Sequence, residues 1–294
     1  MEFAINIFIL ENEILKLFYY IRLSILKDIT YIIPLKINSK SRLINTITSV
    51  TYLLSKFPKS RIIIKEVDKF SSFLESALPQ IKERIDTTNL KYLFEKNEGN
   101  FLHKTKILNE LISISKTKIV ASYDVDIIYP YESHFAAYNS ILKGTSDIVY
   151  PFGVGFYQYK IKNFKKLFED FLNSNFNFEI FNSYSKPTIA TIDWCQFYNR
   201  QKIIDGYLYN EDFSNIHRAN QEFFFRFNSF GYKVNRFYGP IWNLNAQKDS
   251  EKIPNYNENL SNKLWQKIRT KSKNQLLNYY EKQRYIKGNE LNAC

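Results

Sequence analysis

Asp124-Val125-Asp126 is where residue type, spacing and setting in this sequence point most directly to chemistry. Two carboxylates at i and i+2, placed where a strand ends and the chain turns, can meet one divalent cation together. Mn²⁺ or Mg²⁺ takes such hard oxygen ligands and shares its remaining positions with the phosphates of a substrate. The spacing alone is not distinctive, because Glu11/Glu13, Glu66/Asp68 and Asp249/Glu251 repeat it. The Asp124/Asp126 pair differs in following a buried-strand pattern, Thr117–Tyr123 (TKIVASY), itself preceded by a helical pattern bearing Lys104 and Lys106. The plainer alternative is a strand-end turn with solvated acids.

Other ways of holding phosphate are missing. Gly153-Val154-Gly155 has no third glycine at the spacing of a dinucleotide fingerprint, and no P-loop signature occurs. Phosphate would therefore fall to a metal and to Lys or Arg side chains. Histidines at His103, His134 and His217 and cysteines at Cys195 and Cys294 offer neither a zinc constellation nor a disulfide framework. A reduced, cytoplasmic setting is the expectation.

The elements that must position these residues alternate. Thr30–Leu35 (TYIIPL), Arg61–Val67 (RIIIKEV), Tyr92–Phe94 and Thr117–Tyr123 read as buried strands. Arg42–Phe57 and Phe101–Ser115 carry apolar residues at helical spacing. Strands alternating with helices predict an α/β fold with a mostly parallel sheet flanked by helices. Ligands bind such sheets beyond the carboxyl ends of the strands, just after Leu35, Val67 and Tyr123. The second half is less regular: Phe164–Phe171 reads as helix, Pro187–Trp194 as strand, Gln221–Phe230 as helix burying Phe224, Phe225 and Phe227, and Tyr232–Tyr238 as strand.

The chain has 294 residues, 45% hydrophobic and 24% charged, which suits a folded globular protein and excludes whole-chain disorder, collagen and coiled coil. An apolar N-terminal stretch is interrupted by Glu11, Glu13, Lys16 and Arg22, so an amphipathic helix over about residues 9–27 is expected rather than a membrane span. The three expected parts are this helix within 1–28, a catalytic-type domain over 29–246, and a basic helical tail over 247–294. The formal charge is +12, and between Ser261 and Gly288 eight Lys or Arg residues face Glu281 alone. No RRM, KH, zinc-finger or basic-zipper pattern accompanies the charge, so nucleic acid is not the expected partner. Leu264, Trp265, Ile268, Leu276, Leu277 and Tyr280 intersperse the lysines. Two roles fit that pattern equally: a peripheral contact with anionic lipid at the inner membrane face, or a helix packed on the domain.

Several segments, in order, resemble GT-A glycosyltransferases. They are Pro34-Leu35-Lys36, Leu102-His103-Lys104-Thr105-Lys106-Ile107-Leu108-Asn109, Tyr123-Asp124-Val125-Asp126, Asp205-Gly206-Tyr207, Asn220-Gln221-Glu222-Phe223-Phe224-Phe225-Arg226 and Gly239–Asn245 (GPIWNLN). The pattern is similar to the beta-1,4-galactosyltransferase and chondroitin-synthase-like enzymes and related bacterial capsule transferases, and it covers about Thr30–Ala246. The resemblance implies a GT-A fold and metal-dependent transfer of a sugar from a nucleotide-sugar donor, uridine-linked, to a glycan or other hydroxyl acceptor. It also implies that Pro34, Leu35, Lys36 and Val125 line the nucleotide, that Lys104 reaches the diphosphate, and that Glu66 or Asp68 contacts base or ribose. Asp126 would ligate Mn²⁺ (or Mg²⁺) directly, Asp124 would approach the ribose or a metal-bound water, and Asp193-Trp194 would lie on the acceptor or donor-sugar side.

Two positions depart from that pattern. Ala219-Asn220 stands where the family has Glu-Asp, whose second residue is the general base of inverting members, and an amide cannot take that proton. Asn243 and Asn245 stand where a metal-binding His is expected, leaving only an amide oxygen to offer Mn²⁺. Glu222 is the surviving carboxylate of the acid box, with Glu211, Asp212, Asp193 and His217 as alternatives. The rival readings are a catalytically weakened homologue that binds nucleotide or a partner, and an anionic-surface or nucleic-acid binding module driven by the tail.

Overall fold

The computed structural model describes residues 26–99, 102–161, 164–188, 195–244 and 255–283. The expected N-terminal helix lies almost wholly outside them, as do Asp193, Trp194 and Asn245.

Four parallel strands form one half of the main sheet: β1 (Ile29–Leu35), β2 (Arg61–Asp68), β3 (Leu90–Lys96) and β4 (Ile119–Ser122). β1 is buried at all seven positions, which is why its sequence is a near-continuous apolar run rather than an alternating one. Helix α1 (Lys40–Lys56) follows β1, its first turn capped by Ser39 Oγ, which accepts the Arg42 N–H at 3.2 Å. A π-turn (Phe73–Ala77) and α2 (Leu78–Lys82) join β2 to β3, and α3 (Lys104–Ile114) joins β3 to β4. The sheet continues with β9 (Gln196–Asn199), antiparallel to β4, then β6 (Ile148–Tyr150) and β10 (Val234–Arg236), in the order β10-β6-β9-β4-β1-β2-β3. A smaller sheet has the order β5 (Ile127–Ile128), β11 (Ile241–Asn243), β7 (Gln158–Ile161) and β8 (Ser185–Pro187). Between β5 and β6 runs α4 (Tyr131–Leu142); α5 (Phe164–Asn173), α6 (Arg200–Asp205) and α7 (Ile216–Phe230) follow in the second half.

The topology places the site. β1 is flanked by β2 on one side and β4 on the other, so the strand order reverses there and a crevice opens at the carboxyl ends of β1 and β4. The ladder runs one residue beyond β4, where Tyr123 N–H donates to Ile32 O at 3.0 Å. Asp124 is the next residue. The β5–β11 pairing brings Trp242 opposite Ile128, and Leu244 N–H donates to the Asp126 carbonyl at 2.8 Å. The acid loop is thus pinned on both sides.

One helical expectation needs correction. α7 begins at Ile216 rather than Gln221, and its buried phenylalanines are Phe223 and Phe227, four residues apart on one face. Phe224 lies a step round the helix and is 40% exposed, and Phe225 is only partly buried. The strand expected at Pro187–Trp194 lies mostly outside the described residues, which omit 189–194; Pro187 closes β8, and β9 follows at Gln196.

The tail forms α8 (Asn255–Arg269) and α9 (Lys273–Tyr280), the latter opening on a Ser272/Gln275 capping box. Ile268, Leu276 and Tyr280 are fully buried in a second core with Phe213 and Ala219, against which Leu264, Trp265 and Phe225 also pack. The apolar face offered to lipid in one of the two sequence readings is therefore covered by the protein itself. No helix among the described residues is long and apolar enough to cross a membrane. Each buried large side chain in this core contributes about 1.5–3 kcal/mol. Deleting the residues after Asn259 should lower the melting temperature by roughly 5 °C or more. Co-sedimentation with anionic vesicles should differ little from that of the intact chain; loss of vesicle binding without loss of stability would contradict this packing role.

Candidate functional site

Asp124 and Asp126 sit at the crest of the crevice with two cations. Lys104 Nζ is 2.7 Å from Asp124 Oδ2, and Arg42 Nη1 is 2.7 Å from Asp126 Oδ2. Arg42 Nη2 lies 3.7 Å from Asp124 Oδ1, so one guanidinium faces both carboxylates. Asp126 N–H donates to Asp124 Oδ1 at 3.1 Å, closing the tight turn that the i, i+2 spacing predicts. The middle residue of the motif turns inward: Val125 is fully buried, away from any nucleotide, and its carbonyl accepts a hydrogen bond from Ser49 Oγ at 2.9 Å.

α1 supplies what the sequence reading missed. Arg42, Asn45 and Ser49, at i, i+3 and i+7, share one face of this helix and all reach the acid loop. Asn45 Nδ2 donates to Asp126 Oδ1 at 2.9 Å. The signal was a polar stripe at helical spacing on the first helix, legible in principle but resembling an ordinary solvated face. The arrangement splits the two acids. Burial would raise the Asp124 carboxyl, but the Lys104 ammonium and Arg42 guanidinium hold it well below the usual carboxylate range. Burial and the neighbouring Asp124 charge push Asp126 up, against the pull of Arg42 and Asn45.

A small cavity of about 30 Å³, room for roughly one water, forms the crevice floor. It brings Pro34, Lys104, Asp124 and Asn220 together, along with Gln196 and Tyr209. Gln196 Nε2 lies 3.5 Å from Asn220 Oδ1, and Tyr209 OH donates to Gln196 Oε1. Asn109 of α3 holds the Tyr209 backbone from both ends, accepting its N–H at 2.8 Å and donating to its carbonyl at 2.9 Å.

Glu222 is not brought to this cavity. It is fully buried beneath it, with Arg226 Nε at 2.7 Å from Oε1 and the Tyr280 hydroxyl donating to the same oxygen. Arg226, also fully buried, donates to the carbonyls of Gly206 and Leu208. In this turn Tyr207 and Leu208 both adopt positive φ (70° and 52°), a conformation that side-chain-bearing residues hold only when the surroundings enforce it. A Cβ at Gly206 would lie 2.2 Å from the Phe227 ring, so glycine is required there. The Glu222–Arg226 pair therefore fixes the turn that delivers Tyr209 to the cavity.

The other expected residues divide as clearly. Leu35 is fully buried in the core, and Glu66 is spent on the Phe73 N–H (3.2 and 3.1 Å) and the Tyr92 hydroxyl (2.6 Å). Neither presents its side chain to a ligand, and burial raises the Glu66 carboxyl. Lys36 and Asp68 stand at the ends of β1 and β2, 4.0 Å apart, with Lys36 Nζ on Gly99 O. Of the alternative bases, Glu211 accepts from Asn109 at 2.8 Å, Asp212 from Tyr279 at 3.1 Å, and His217 Nε2 lies 3.1 Å from Gln221 Nε2.

The donor set fits a hard divalent cation. Asp124 and Asp126 supply carboxylate oxygens, and Asn45 Oδ1 is buried beside them without a hydrogen-bond partner. No group of three His, Cys, Asp or Glu side chains that could hold a metal exists among the described residues. Remaining positions would fall to substrate oxygens, the usual arrangement for Mg²⁺ and similar ions in phosphate sites.

No protein-family model matches the chain, and no curated protein matches its sequence. Among solved structures, S. aureus TarS aligns over 81% of this chain and 39% of its own, with a TM-score of 0.52 and 11% identity. The mannosyltransferase PcManGT from Pyrobaculum calidifontis, in complex with GDP-Man and Mn²⁺, aligns over 79% of this chain and 65% of its own, with a TM-score of 0.48 and 13% identity. S. aureus TarS 1–349 in complex with UDP aligns over 73% and 60%, with a TM-score of 0.47 and 12% identity. The chain spans less than two thirds of the length of each of these proteins. With a mostly parallel central sheet flanked by helices, and the acid loop at the carboxyl ends of its strands, the chain has a GT-A-like α/β fold.

Proposed function

We propose that the chain is a glycosyltransferase that moves a sugar from a uridine-linked nucleotide-sugar to a hydroxyl of a glycan acceptor. The observation that carries this reading is the convergence of Asp124 and Asp126 with Lys104 and Arg42 at the reversal point of the sheet. Acids and cations together are what a metal–diphosphate ligand asks of a site that has no glycine cradle.

Asp124, Asp126 and the Asn45 amide oxygen would hold Mn²⁺ or Mg²⁺. When bound, such an ion supplies Lewis-acid stabilisation of the departing diphosphate. Lys104 presents its ammonium to a phosphate oxygen, exchanging the Asp124 carboxylate for a second anion. Pro34 and the backbone after β1 form the wall against the nucleotide. Asn220, with Gln196 and Tyr209 behind it, offers an acceptor hydroxyl a hydrogen-bond partner that cannot accept its proton.

That last point favours a second reading, a weakened homologue that binds donor well and transfers slowly. A missing general base typically costs ~10²–10⁴ in rate. Asn220→Asp is therefore expected to raise turnover of the parent at least tenfold, measured as product formation with a suitable acceptor. No gain would mean that the base is drawn from elsewhere, or that none is used.

Binding is tested by thermal shift with UDP, GDP and their sugar conjugates, each with and without Mn²⁺, since a ligand of the native state raises the melting temperature. A UDP-series response that requires Mn²⁺ supports the proposal. A flat panel would overturn it.

A further inference from the structure

Arg42 and Lys104 balance the charges of Asp124 and Asp126, and of the two cations Arg42 is the one that meets both acids. Its fork faces both acids, 2.7 Å from Asp126 and 3.7 Å from Asp124, in the space between the carboxylates that a shared cation would need. Yet the arrangement leaves polar groups unused on both sides. Arg42 Nε is buried with no hydrogen-bond partner, and so is Asn45 Oδ1, three residues along the same helix face. One is an N–H donor lacking an acceptor, on a guanidinium whose other nitrogens meet both acids; the other is an acceptor lacking a donor or a cation. A buried orphan of either kind is uncommon in a folded protein and calls for a ligand or a structural reason.

Resting on the nucleotide-sugar reading above, we propose that Arg42 is a placeholder for the divalent cation: it pairs with both acids until donor and metal enter together, and then turns onto the diphosphate. The guanidinium is suited to both states, because its planar fork matches a carboxylate pair and a phosphate alike, whereas a lysine ammonium is a single point charge. A guanidinium and a divalent ion cannot share the same two carboxylates, so metal binding alone must displace Arg42 into a site that offers it no anion. The diphosphate provides that anion. Metal and nucleotide are then coupled, and the coupling is reciprocal.

The test is Mn²⁺ binding to the full chain, followed by electron paramagnetic resonance with and without UDP. The parent should bind Mn²⁺ weakly alone and more tightly with UDP. Arg42→Gln should bind Mn²⁺ about tenfold more tightly than the parent without nucleotide, within the usual range of coupling factors, and should lose most of the UDP enhancement. Arg42→Lys, which keeps a charge but cannot span both acids, should fall between them and serves should the Gln variant fail to fold. Asp126→Asn should lose the Mn²⁺ signal in both conditions, which locates it. If neither Arg42 variant binds Mn²⁺ more tightly than the parent without nucleotide, the placeholder role is wrong, even where the parent still responds to UDP. If the parent shows no UDP response at all, the nucleotide-sugar reading falls, and this inference with it.

Discussion

Glu222→Ala is expected to destabilise the protein by about 3–5 kcal/mol, the cost of leaving a buried cation without its partner. Arg226 is fully buried; besides Glu222 it meets carbonyl oxygens of a turn that runs through two positive-φ residues and lies over the rings of Phe227 and Tyr280, none of which carries a negative charge. Without Glu222 the guanidinium charge has no compensation, Tyr280 of α9 loses its acceptor, and the turn carrying Tyr209 loosens. Urea unfolding should register the loss directly. Glu222→Gln keeps a hydrogen-bond acceptor and should be less damaging, with turnover falling only as far as the folded fraction falls. A variant as stable as the parent but without turnover would instead make Glu222 the general base.

The second large effect concerns the acid pair. Asp126→Asn removes one of two carboxylates from the only described acid cluster at the crevice, and should lower donor turnover by about 10²–10³, the scale seen when one preorganised electrostatic group is lost. The melting temperature should change little, because Asp126 is a strand-end acid whose raised carboxyl pKa reflects burial beside Asp124 rather than a gain from pairing. Asp124, 3.7 Å from Arg42, still faces the guanidinium in this variant. Unchanged turnover in this variant would exclude the acid pair from the chemistry.

The first half of the fold was legible because its central strands are buried, although β3, expected as a buried strand, is a half-exposed edge strand with Phe94 40% exposed. β1, β2 and β4 are short apolar runs, and α1 and α3 carry helical periodicity, so their order and the position of Asp124 followed from the sequence. β9 escaped notice for a physical reason. Gln196-Phe197-Tyr198-Asn199 is a central strand whose Gln196 is spent on Tyr209 and Asn220, and a buried polar residue looks like a turn until its partners are known. The tail shows a different limit. Periodicity revealed that Ile268, Leu276 and Tyr280 share an apolar face, but not that α7 and Phe213 cover it.

The site divided in the same way. Asp124, Asp126 and Lys104 were identifiable because their setting, a strand end after a lysine-bearing helix, is local. Arg42 and Asn45 join them across more than 80 residues of chain, and nothing in their immediate neighbours marks them. Glu222 was singled out for being the surviving acid in a familiar position. Its partner Arg226, four residues on, was visible in the sequence, and an i, i+4 acid–base pair on a largely buried helix is a structural pair before it is a catalytic one.

Release of nucleoside diphosphate from a panel of UDP- and GDP-sugars, in the presence of Mn²⁺ and with Asp126→Asn measured alongside, tests the central claim most directly. The proposed function predicts Mn²⁺-dependent release from a UDP-sugar by the parent, slow for want of a basic carboxylate at Asn220, and its near-abolition in the variant. Release that is equal in parent and variant, or absent from every donor in a protein that binds none of them, would contradict it.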